Sequence, residues 1–131
     1  MKYKFETNFL IFPKDLNPTN HIIFGGKFMA ELDIAAASAV RQVLKHSICD
    51  TAVTYKMDVT FLGPSYLGDT IHITAEVIEL RVKAVGIKVL AYREPKNQKN
   101  EDNFNLVATA NFVFVTKLGE EYTPHGLVME E

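Results

Sequence analysis

The sequence is short of several features that would define a class of protein. Among its 131 residues there is one cysteine, Cys49, which excludes an internal disulfide and favours a reducing compartment. The longest apolar run near the N-terminus, residues 9–12, is too short for a signal peptide or a membrane span. The net charge is −2 and the basic residues are scattered, so we expect neither nucleic acid nor a membrane as partner. We therefore expect a cytoplasmic protein.

Common catalytic signatures are also missing from the chain. It contains no phosphate-binding P-loop, no dinucleotide-binding glycine pattern and no Gly-x-Ser-x-Gly elbow. His72 and His125 have no other metal-ligating residue at useful spacing, so no metal site is predicted. His46 lies three residues from Cys49, but both fall where a helix should end, and this spacing does not indicate a nucleophile.

The hydrophobic pattern predicts a single domain over residues 1–131, because 47% hydrophobic residues suffice for a sizeable core. Apolar side chains recur at steps of three and four over residues 27–45, which predicts one long helix that ends within residues 46–50. Strand-like segments follow it, and we expect them to pair as hairpins. The fold class is therefore α+β, with an antiparallel sheet of about five strands against one long helix. Residues 3–12 are predicted to form a first strand or an extended arm, and further strands are predicted over residues 52–62, 70–80, 84–92 and 106–116. Residues 94–103 are predicted to form a polar loop, and residues 117–131 a turn-like tail with a frayed end.

The most informative stretch is the polar loop of residues 13–23, which runs into Phe24, Gly25 and Gly26. The first amide N–H groups of a helix have no intrahelical partners and can bind an anion. Glycines at that position let a ligand approach closely, because no Cβ is in the way. Such a helix start could hold the oxyanion that forms when a carbonyl is attacked, although tight turns also use paired glycines.

Asp33 is the candidate catalytic acid of this helix. It shares a face with Met29, Ala36, Ala37 and Val40 at offsets of three and four residues. A carboxylate on an apolar face is removed from water, which makes it a better general base. The alternative is an exposed acid at the edge of the helix.

Three segments together resemble one family. They are NHIIFGGKFMAELD at residues 20–33, VTFLGP at residues 59–64 followed by Gly68 and Asp69, and LVATANFVFV at residues 106–115. Their order and spacing are similar to those of hotdog-fold acyl-CoA thioesterases, in the YciA-like or cytosolic acyl-CoA hydrolase branch. In that branch an aspartate follows the second glycine by seven residues, as Asp33 follows Gly26.

The resemblance implies a hotdog fold, in which the sheet wraps around the central helix. It implies hydrolysis of the acyl-CoA thioester without metal or organic cofactor. It also implies a homodimer or higher homo-oligomer with the active site between subunits. Asp33 would be the general base or the nucleophile, and the backbone N–H of Gly26 would bind the oxyanion. An asparagine of the loop would assist: Asn20 fits the family spacing without a gap, whereas Asn17 needs a one-residue insertion.

Further residues are candidates for substrate contacts. Phe24 and Gly25 lie directly before the helix. His21 departs from the family, which usually has glycine there; it could line the site as a proton carrier or be a loop histidine in solvent. Thr60, Phe61 and Leu62 are candidates to line the acyl or pantetheine channel. Around residues 80–83 the family's Gly and Thr-Ser turn is missing, but Arg81 and Lys83 could still reach the CoA phosphates. The alternatives are core packing for Phe61 and solvated surface charge for Arg81 and Lys83.

Two other functions stay open from the sequence. A non-catalytic acyl-CoA-binding regulator would keep the pocket, and the departures at His21 and Gly63 favour it mildly, since many relatives have arginine in place of Gly63. A hotdog hydroxyacyl thioester dehydratase would use a histidine and an acid, here His21 and Asp33.

Overall fold

One long helix packs on one face of an antiparallel sheet in the computed structural model, which describes residues 3–97 and 104–129. All strand pairings are antiparallel, the order across the sheet is β1-β3-β4-β5-β2, and a short β6 pairs with β5. The elements in chain order are β1 (Lys4–Leu10), a 3₁₀ turn (Pro13–Asp15), α1 (Gly25–Leu44), β2 (Thr51–Phe61), β3 (Thr70–Arg81), β4 (Ala84–Glu94), β5 (Asn105–Leu118) and β6 (Glu121–Tyr122).

The predicted α+β class, with one helix against five long strands, is confirmed. The prediction of consecutive hairpins was wrong for β2, which pairs with β5 and not with β3. Residues 62–69 carry the chain from β2 at one edge to β3 near the other edge. The sixth strand was missed because two residues carry no periodicity. Most of the predicted loop at residues 94–103 lies outside the described residues.

The core lies between the helix and the sheet. In β3 the expected alternation is observed, with Ile71, Ile73, Ala75 and Val77 buried on the helix side. The helix buries three alanines there, which lets the strands approach its backbone closely. Its start, at Gly25, lies two residues before the predicted one, because glycine has low helix propensity and gives no apolar signal. The buried helix residues are Phe28, Leu32, Ala35, Ala36, Ala39, Val40 and Val43.

The tail is more ordered than predicted. The imidazole of His125 is 3% exposed, and its Nδ1 accepts a hydrogen bond from the Leu127 N–H at 3.0 Å. Its Nε2 therefore donates, and the acceptor is the carbonyl oxygen of Arg81. The Ser47 hydroxyl donates to the His125 carbonyl oxygen at 2.7 Å, which fixes the tail beside the end of the helix.

Strand β2 leaves apolar surface open at its edge of the sheet. It pairs with β5 on one side and with no other described strand. Tyr55 of β2 is 73% exposed, and Ile34 on the neighbouring helix is 57% exposed. An unpaired edge strand beside exposed apolar side chains is a template for pairing with another chain. Within the described residues, no helix is long and apolar enough to cross a membrane.

Candidate active site

The start of α1 presents open amide groups. Phe24 is the N-cap residue, and no side chain caps the helix. The first hydrogen bond of the helix runs from the Phe28 N–H to the Phe24 carbonyl oxygen at 3.1 Å. Among residues 3–97 and 104–129, no acceptor pairs with the N–H groups of Gly25 or Gly26, and both glycines are exposed. This helix end can therefore accept an anion or a carbonyl oxygen.

The aromatic ring of Phe24 explains the glycine at residue 26. A Cβ built on Gly26 would lie 2.6 Å from Cε2 of that ring, well inside van der Waals contact. Gly25 has ordinary clearance, since a Cβ added there would meet its nearest atom, Cε2 of Phe61, at 3.9 Å. Gly26 therefore leaves room for the Phe24 ring beside the helix start, and its own backbone stays exposed.

Asp33 lies two helical turns beyond Gly26, on the side of the helix that faces β2. Its side chain is half-buried, and its Oδ1 accepts a hydrogen bond from the Thr54 hydroxyl at 2.9 Å. This contact fixes the carboxylate against the edge strand and leaves Oδ2 without a partner among the described residues. An oriented carboxylate with one free oxygen can accept a proton from water or attack a carbonyl carbon.

The loop before the helix forms a small hairpin-like turn. Leu16 and Ile23 form an isolated bridge, and the Asn17 N–H donates to the Ile22 carbonyl oxygen at 2.7 Å. The Asn17 side chain accepts from the Thr19 N–H at 2.9 Å, so part of its role is to shape the turn. Asn20 is exposed at the tip of this turn.

His21 follows Asn20 with a φ of 58°, in the left-handed region that favours glycine, and it is exposed. That backbone conformation gives a physical reason for the glycine that the family usually has there.

Asp15 was missed by the sequence reasoning, yet it supports the helix start. Its carboxylate is buried and accepts the Phe12 N–H at 2.9 Å, and its carbonyl oxygen accepts the Phe24 N–H at 2.8 Å. Lys27 in the first turn lies 3.9 Å from Asp15 Oδ1 and 2.8 Å from Glu31 Oε1. The hydrogen bond to Glu31 raises the pKa of Lys27, and the charge of Asp15 adds to this. The sequence signal was a carboxylate inside a turn that begins with proline, Pro13-Lys14-Asp15.

The three residues assigned to the channel do not share one face. The ring of Phe61 packs against Phe28 with 5.6 Å between centroids, beside the helix start. Thr60 precedes it in β2 and therefore points to the opposite face of the sheet. Leu62 lies beyond the strand and is 54% exposed. Within one copy of the chain, Phe61 is the member of this trio that lies by the helix start.

Arg81 and Lys83 lie at the turn between β3 and β4, at the end of the sheet opposite the helix start. Arg81 pairs with Glu79, and Lys83 is exposed. One copy of the chain therefore does not bring them to Gly26.

The Gly68–Asp69 pair has a structural role in this copy. The buried carboxylate of Asp69 accepts hydrogen bonds from the N–H groups of Tyr66 and Lys96 and from Nε of Arg93 at 2.6 Å. These bonds tie the segment after β2 to the end of β4. In the part of the chain that the structure describes, no group of three His, Cys, Asp or Glu residues could hold a metal ion.

Comparison with known proteins identifies the family. The model of the thioesterase superfamily matches residues 20–99, which include the end of the loop, the helix and β2 to β4. The chain belongs to the thioesterase superfamily. The predicted resemblance to hotdog-fold thioesterases is thereby confirmed. No curated protein sequence matches the chain significantly.

Three solved structures are similar to this superfamily member over most of its length. An acyl-CoA hydrolase from Staphylococcus aureus, in complex with butyryl coenzyme A, coenzyme A and coenzyme A disulfide, is 28% identical with a TM-score of 0.77, covering 94% of this chain and 68% of the other. A hexameric thioesterase from Yersinia pestis is 25% identical with a TM-score of 0.75, covering 90% and 91%. A hexameric hotdog fold thioesterase from Campylobacter jejuni, 23% identical with a TM-score of 0.77 and covering 92% and 88%, supports the fold. Variants of the Staphylococcus enzyme in which a threonine, an asparagine or an aspartate is replaced by alanine are also similar structures.

Proposed function

We propose that the chain is an acyl-CoA thioesterase, which hydrolyses an acyl-CoA to the free acid and CoA. The observation that carries the proposal is the Thr54–Asp33 hydrogen bond, which orients a half-buried carboxylate on the helix whose start has free amides. The Staphylococcus relative supports acyl-CoA as the substrate, since its structure is a complex with butyryl coenzyme A. The residues replaced by alanine in that enzyme are of the same types as those proposed here, namely an aspartate, a threonine and an asparagine.

The proposed reaction begins at the thioester carbonyl. The Gly26 N–H hydrogen-bonds the carbonyl oxygen and stabilises the negative charge that develops on it. Asp33 either removes a proton from the attacking water or attacks the carbonyl carbon itself, giving an acyl anhydride that water then hydrolyses. In both routes the C–S bond breaks, the CoA thiolate leaves and takes up a proton, and the acid is released. No metal or organic cofactor takes part in this proposal.

The direction of the amides argues for a site that two copies of the chain build together. Gly26 and Asp33 are seven residues apart, a rise of roughly 10 Å along the helix. Helix amides point toward the N-terminus, so a carbonyl bound at Gly26 lies still farther from Asp33. A carbonyl within hydrogen-bonding distance of Gly26 is therefore attacked by Asp33 of a second copy.

The free edge of β2 is the proposed surface of that homodimer. Two β2 strands that pair antiparallel across a two-fold axis would continue the sheet and cover Tyr55 and Ile34. This arrangement sets the helix start of one copy at the same end as the β3–β4 turn of the other. Arg81 and Lys83 of that turn would then approach the CoA phosphates. The hexameric Yersinia relative supports assembly beyond the dimer.

The proposed assisting residue is an asparagine of the loop, Asn17 or Asn20. The substituted asparagine and aspartate of the Staphylococcus enzyme are fifteen positions apart. Asn17 precedes Asp33 by sixteen positions and Asn20 precedes it by thirteen, so this spacing lies closer to Asn17. Thiol release by Asn17→Ala and Asn20→Ala should be compared, and the assisting role belongs to the asparagine whose replacement lowers kcat more.

We also propose the cytoplasm as the location, with Cys49 as a reduced, buried thiol.

The proposal is tested by release of free thiol from acyl-CoAs of increasing chain length, with Asp33→Asn as the variant. The wild type is expected to turn over at least one of them, and Asp33→Asn to lose about 10²-fold or more in kcat. A wild type that binds acyl-CoA without turnover would indicate the regulator instead, and elimination of water from a 3-hydroxyacyl-CoA would indicate the dehydratase. Single turnover in ¹⁸O water tests the nucleophilic route, because label in the Asp33 carboxylate requires an anhydride whose Asp33 carbonyl is attacked by water, whereas direct attack of water on the thioester places the label in the released acid alone.

A further inference from the structure

The turn between β3 and β4 is held by contacts from outside its own hairpin. It consists of Val82 and Lys83, which lie between the paired residues Arg81 and Ala84. Two-residue hairpins favour turns in which one or both residues have a positive φ, usually glycine or asparagine. In the described chain His21 is the non-glycine residue with a positive φ, so this hairpin does not form such a turn. Its position therefore depends on its neighbours.

The tail supplies most of these contacts. Nε2 of His125 donates to the Arg81 carbonyl oxygen, and the His125 backbone N–H donates to the Val82 carbonyl oxygen at 3.2 Å. From β5, the Thr116 N–H donates to the Lys83 carbonyl oxygen at 2.9 Å. The carbonyl oxygens of three consecutive residues are thus bound, and two of them are bound by one histidine.

His125 is itself fixed on its other side. Its Nδ1 accepts the Leu127 N–H, and its carbonyl oxygen accepts the Ser47 hydroxyl. All four polar groups of this buried residue therefore have partners, and a shift of the imidazole would leave at least one of them unpaired at a cost. The residue forms a firm link from the end of α1 to the backbone of the turn.

The turn carries two cations in a position to bind a ligand. Arg81 and Lys83 are both exposed, and Glu79, the ion-pair partner of Arg81, is exposed as well. Because exposed ion pairs contribute little to stability, Arg81 can exchange this carboxylate for a phosphate. Arginine binds phosphate through two parallel N–H groups.

The distance from the thioester to the turn matches the CoA half of the substrate. The helix start lies beside Phe61 of β2, close to the proposed two-fold axis. In that dimer β4 is the third strand from the axis and lies about 12 Å from it. The pantetheine arm has roughly as many chain bonds as four amino-acid residues and spans about 14 Å when extended. A thioester at the helix start of one copy therefore places its phosphates near the turn of the other.

We propose that His125 is a positioning residue for the CoA half of the substrate. It holds the β3–β4 turn so that Arg81 and Lys83 meet the phosphates of a CoA whose thioester lies at the helix start of the other copy. This role rests on the proposed thioesterase activity and on the proposed homodimer. His125 does not touch the substrate, and a loose turn would weaken phosphate binding without changing the chemistry at Asp33.

The test compares an acyl-CoA with the S-acylpantetheine of the same acyl group, which lacks the phosphates. His125→Asn keeps an acceptor near the position of Nδ1 and removes the donor to Arg81, whereas His125→Gln keeps a donor near the position of Nε2. We expect His125→Asn to raise KM for the acyl-CoA by about tenfold, the effect of one charge-assisted contact. Its kcat, and its KM for the S-acylpantetheine, should stay close to wild type. His125→Gln should resemble the wild type on both substrates.

Two controls separate positioning from a general loosening of the tail. Thr123→Val removes a hydroxyl that donates to the Glu121 carbonyl oxygen and does not bond to the turn, so both KM values should stay unchanged. In a chain that already carries Arg81→Gln and Lys83→Gln, His125→Asn should add no further rise in KM, because the cations through which it acts are gone.

The wild type provides a second measurement that needs no variant and holds even where His125→Asn fails to fold. CoA bound at the turn should stabilise the tail through His125, since coupling between two sites is reciprocal. Hydrogen exchange of the Leu127 N–H should therefore slow with saturating CoA and stay unchanged with pantetheine.

Several results overturn this role and leave the thioesterase in place. They are a wild type with equal kcat/KM on acyl-CoA and S-acylpantetheine, a His125→Asn variant that keeps the wild-type KM or loses activity equally on both substrates, and exchange at Leu127 that does not respond to CoA. A wild type that hydrolyses neither kind of thioester, whatever the acyl group, removes the proposed function as well.

Discussion

The Thr54 hydroxyl donates a hydrogen bond to Asp33 across 21 residues of sequence and 2.9 Å of space. This bond joins the central helix to the edge strand β2, and it leaves one oxygen of the Asp33 carboxylate free. The proposed catalytic acid and the proposed dimer surface are therefore connected by one contact. A change in the position of β2 would change the orientation of the carboxylate.

Replacement of Thr54 by valine tests this contact, since valine has a similar shape and no donor. We expect kcat to fall by about tenfold, the worth of a hydrogen bond to a charged group, with little change in thermal stability. Thr54→Ser keeps the hydroxyl and should keep most of the activity. Equal activity of the valine and serine variants would show that the bond does not orient the acid.

The helix start is tested by Gly26→Ala. The added methyl group lies at 2.6 Å from the Phe24 ring, so the ring must swing away and the approach to the amides narrows. Alanine keeps the backbone N–H, but its methyl group and the displaced ring block the carbonyl oxygen from reaching it, so we expect a loss of about 10²-fold in kcat.

The matched control for Gly26→Ala is Gly63→Ala. No atom lies within 4 Å of a Cβ built at Gly63, so its activity should stay close to wild type. Comparable losses in both variants would contradict a specific role of the helix start.

The dimer surface is tested by Tyr55→Asp at the edge of β2. A charge there should separate the copies, because two equivalent aspartates would meet near the two-fold axis. Light scattering should show a smaller species, and thiol release should fall with it. Val128→Asp, at a side chain that is 81% exposed in the tail, serves as the control. An active monomer of Tyr55→Asp would show that one copy suffices.

The Lys27 ion pairs predict a pH dependence of stability. The pKa of Lys27 is raised above 10.5 in the folded chain, chiefly by its hydrogen bond to Glu31, so the folded state holds this proton more tightly. Its stabilising contribution is complete below that value and is lost as the pH rises through the folded pKa. Urea midpoints of wild type and Lys27→Met should differ at about pH 8, and the difference should shrink as the pH rises through the raised pKa of Lys27. A constant difference across this range would contradict the assignment.

Local patterns predicted the helix and the five long strands because each has a period that one segment reveals by itself. They also named Asp33 and the Gly25–Gly26 pair as candidates, since both lie on or beside one continuous element; the catalytic role of each stays a prediction. Thr54 could not be found this way, because its contact with Asp33 depends on which strand lies beside the helix, and β2 was expected beside β3.

Two further differences have the same origin in tertiary structure. Thr60 and Phe61 were assigned to one channel, although adjacent residues of a strand face opposite sides of the sheet. His125 lies in a tail without periodicity, and its burial comes from contacts with Arg81 and Ser47 far along the chain.

The most direct test of the account mixes two inactive variants. If Asp33 of one copy acts on a thioester held at Gly26 of another, Asp33→Ala and Gly26→Ala carry complementary defects. Each variant alone should be nearly inactive. After mixing in equal amounts and reassociation, about one quarter of the sites should contain both intact residues, and thiol release should recover to about a quarter of the wild-type rate. A mixture that stays as inactive as its components, with exchange of copies verified by mass spectrometry, would place both residues in the site of a single copy and contradict the account.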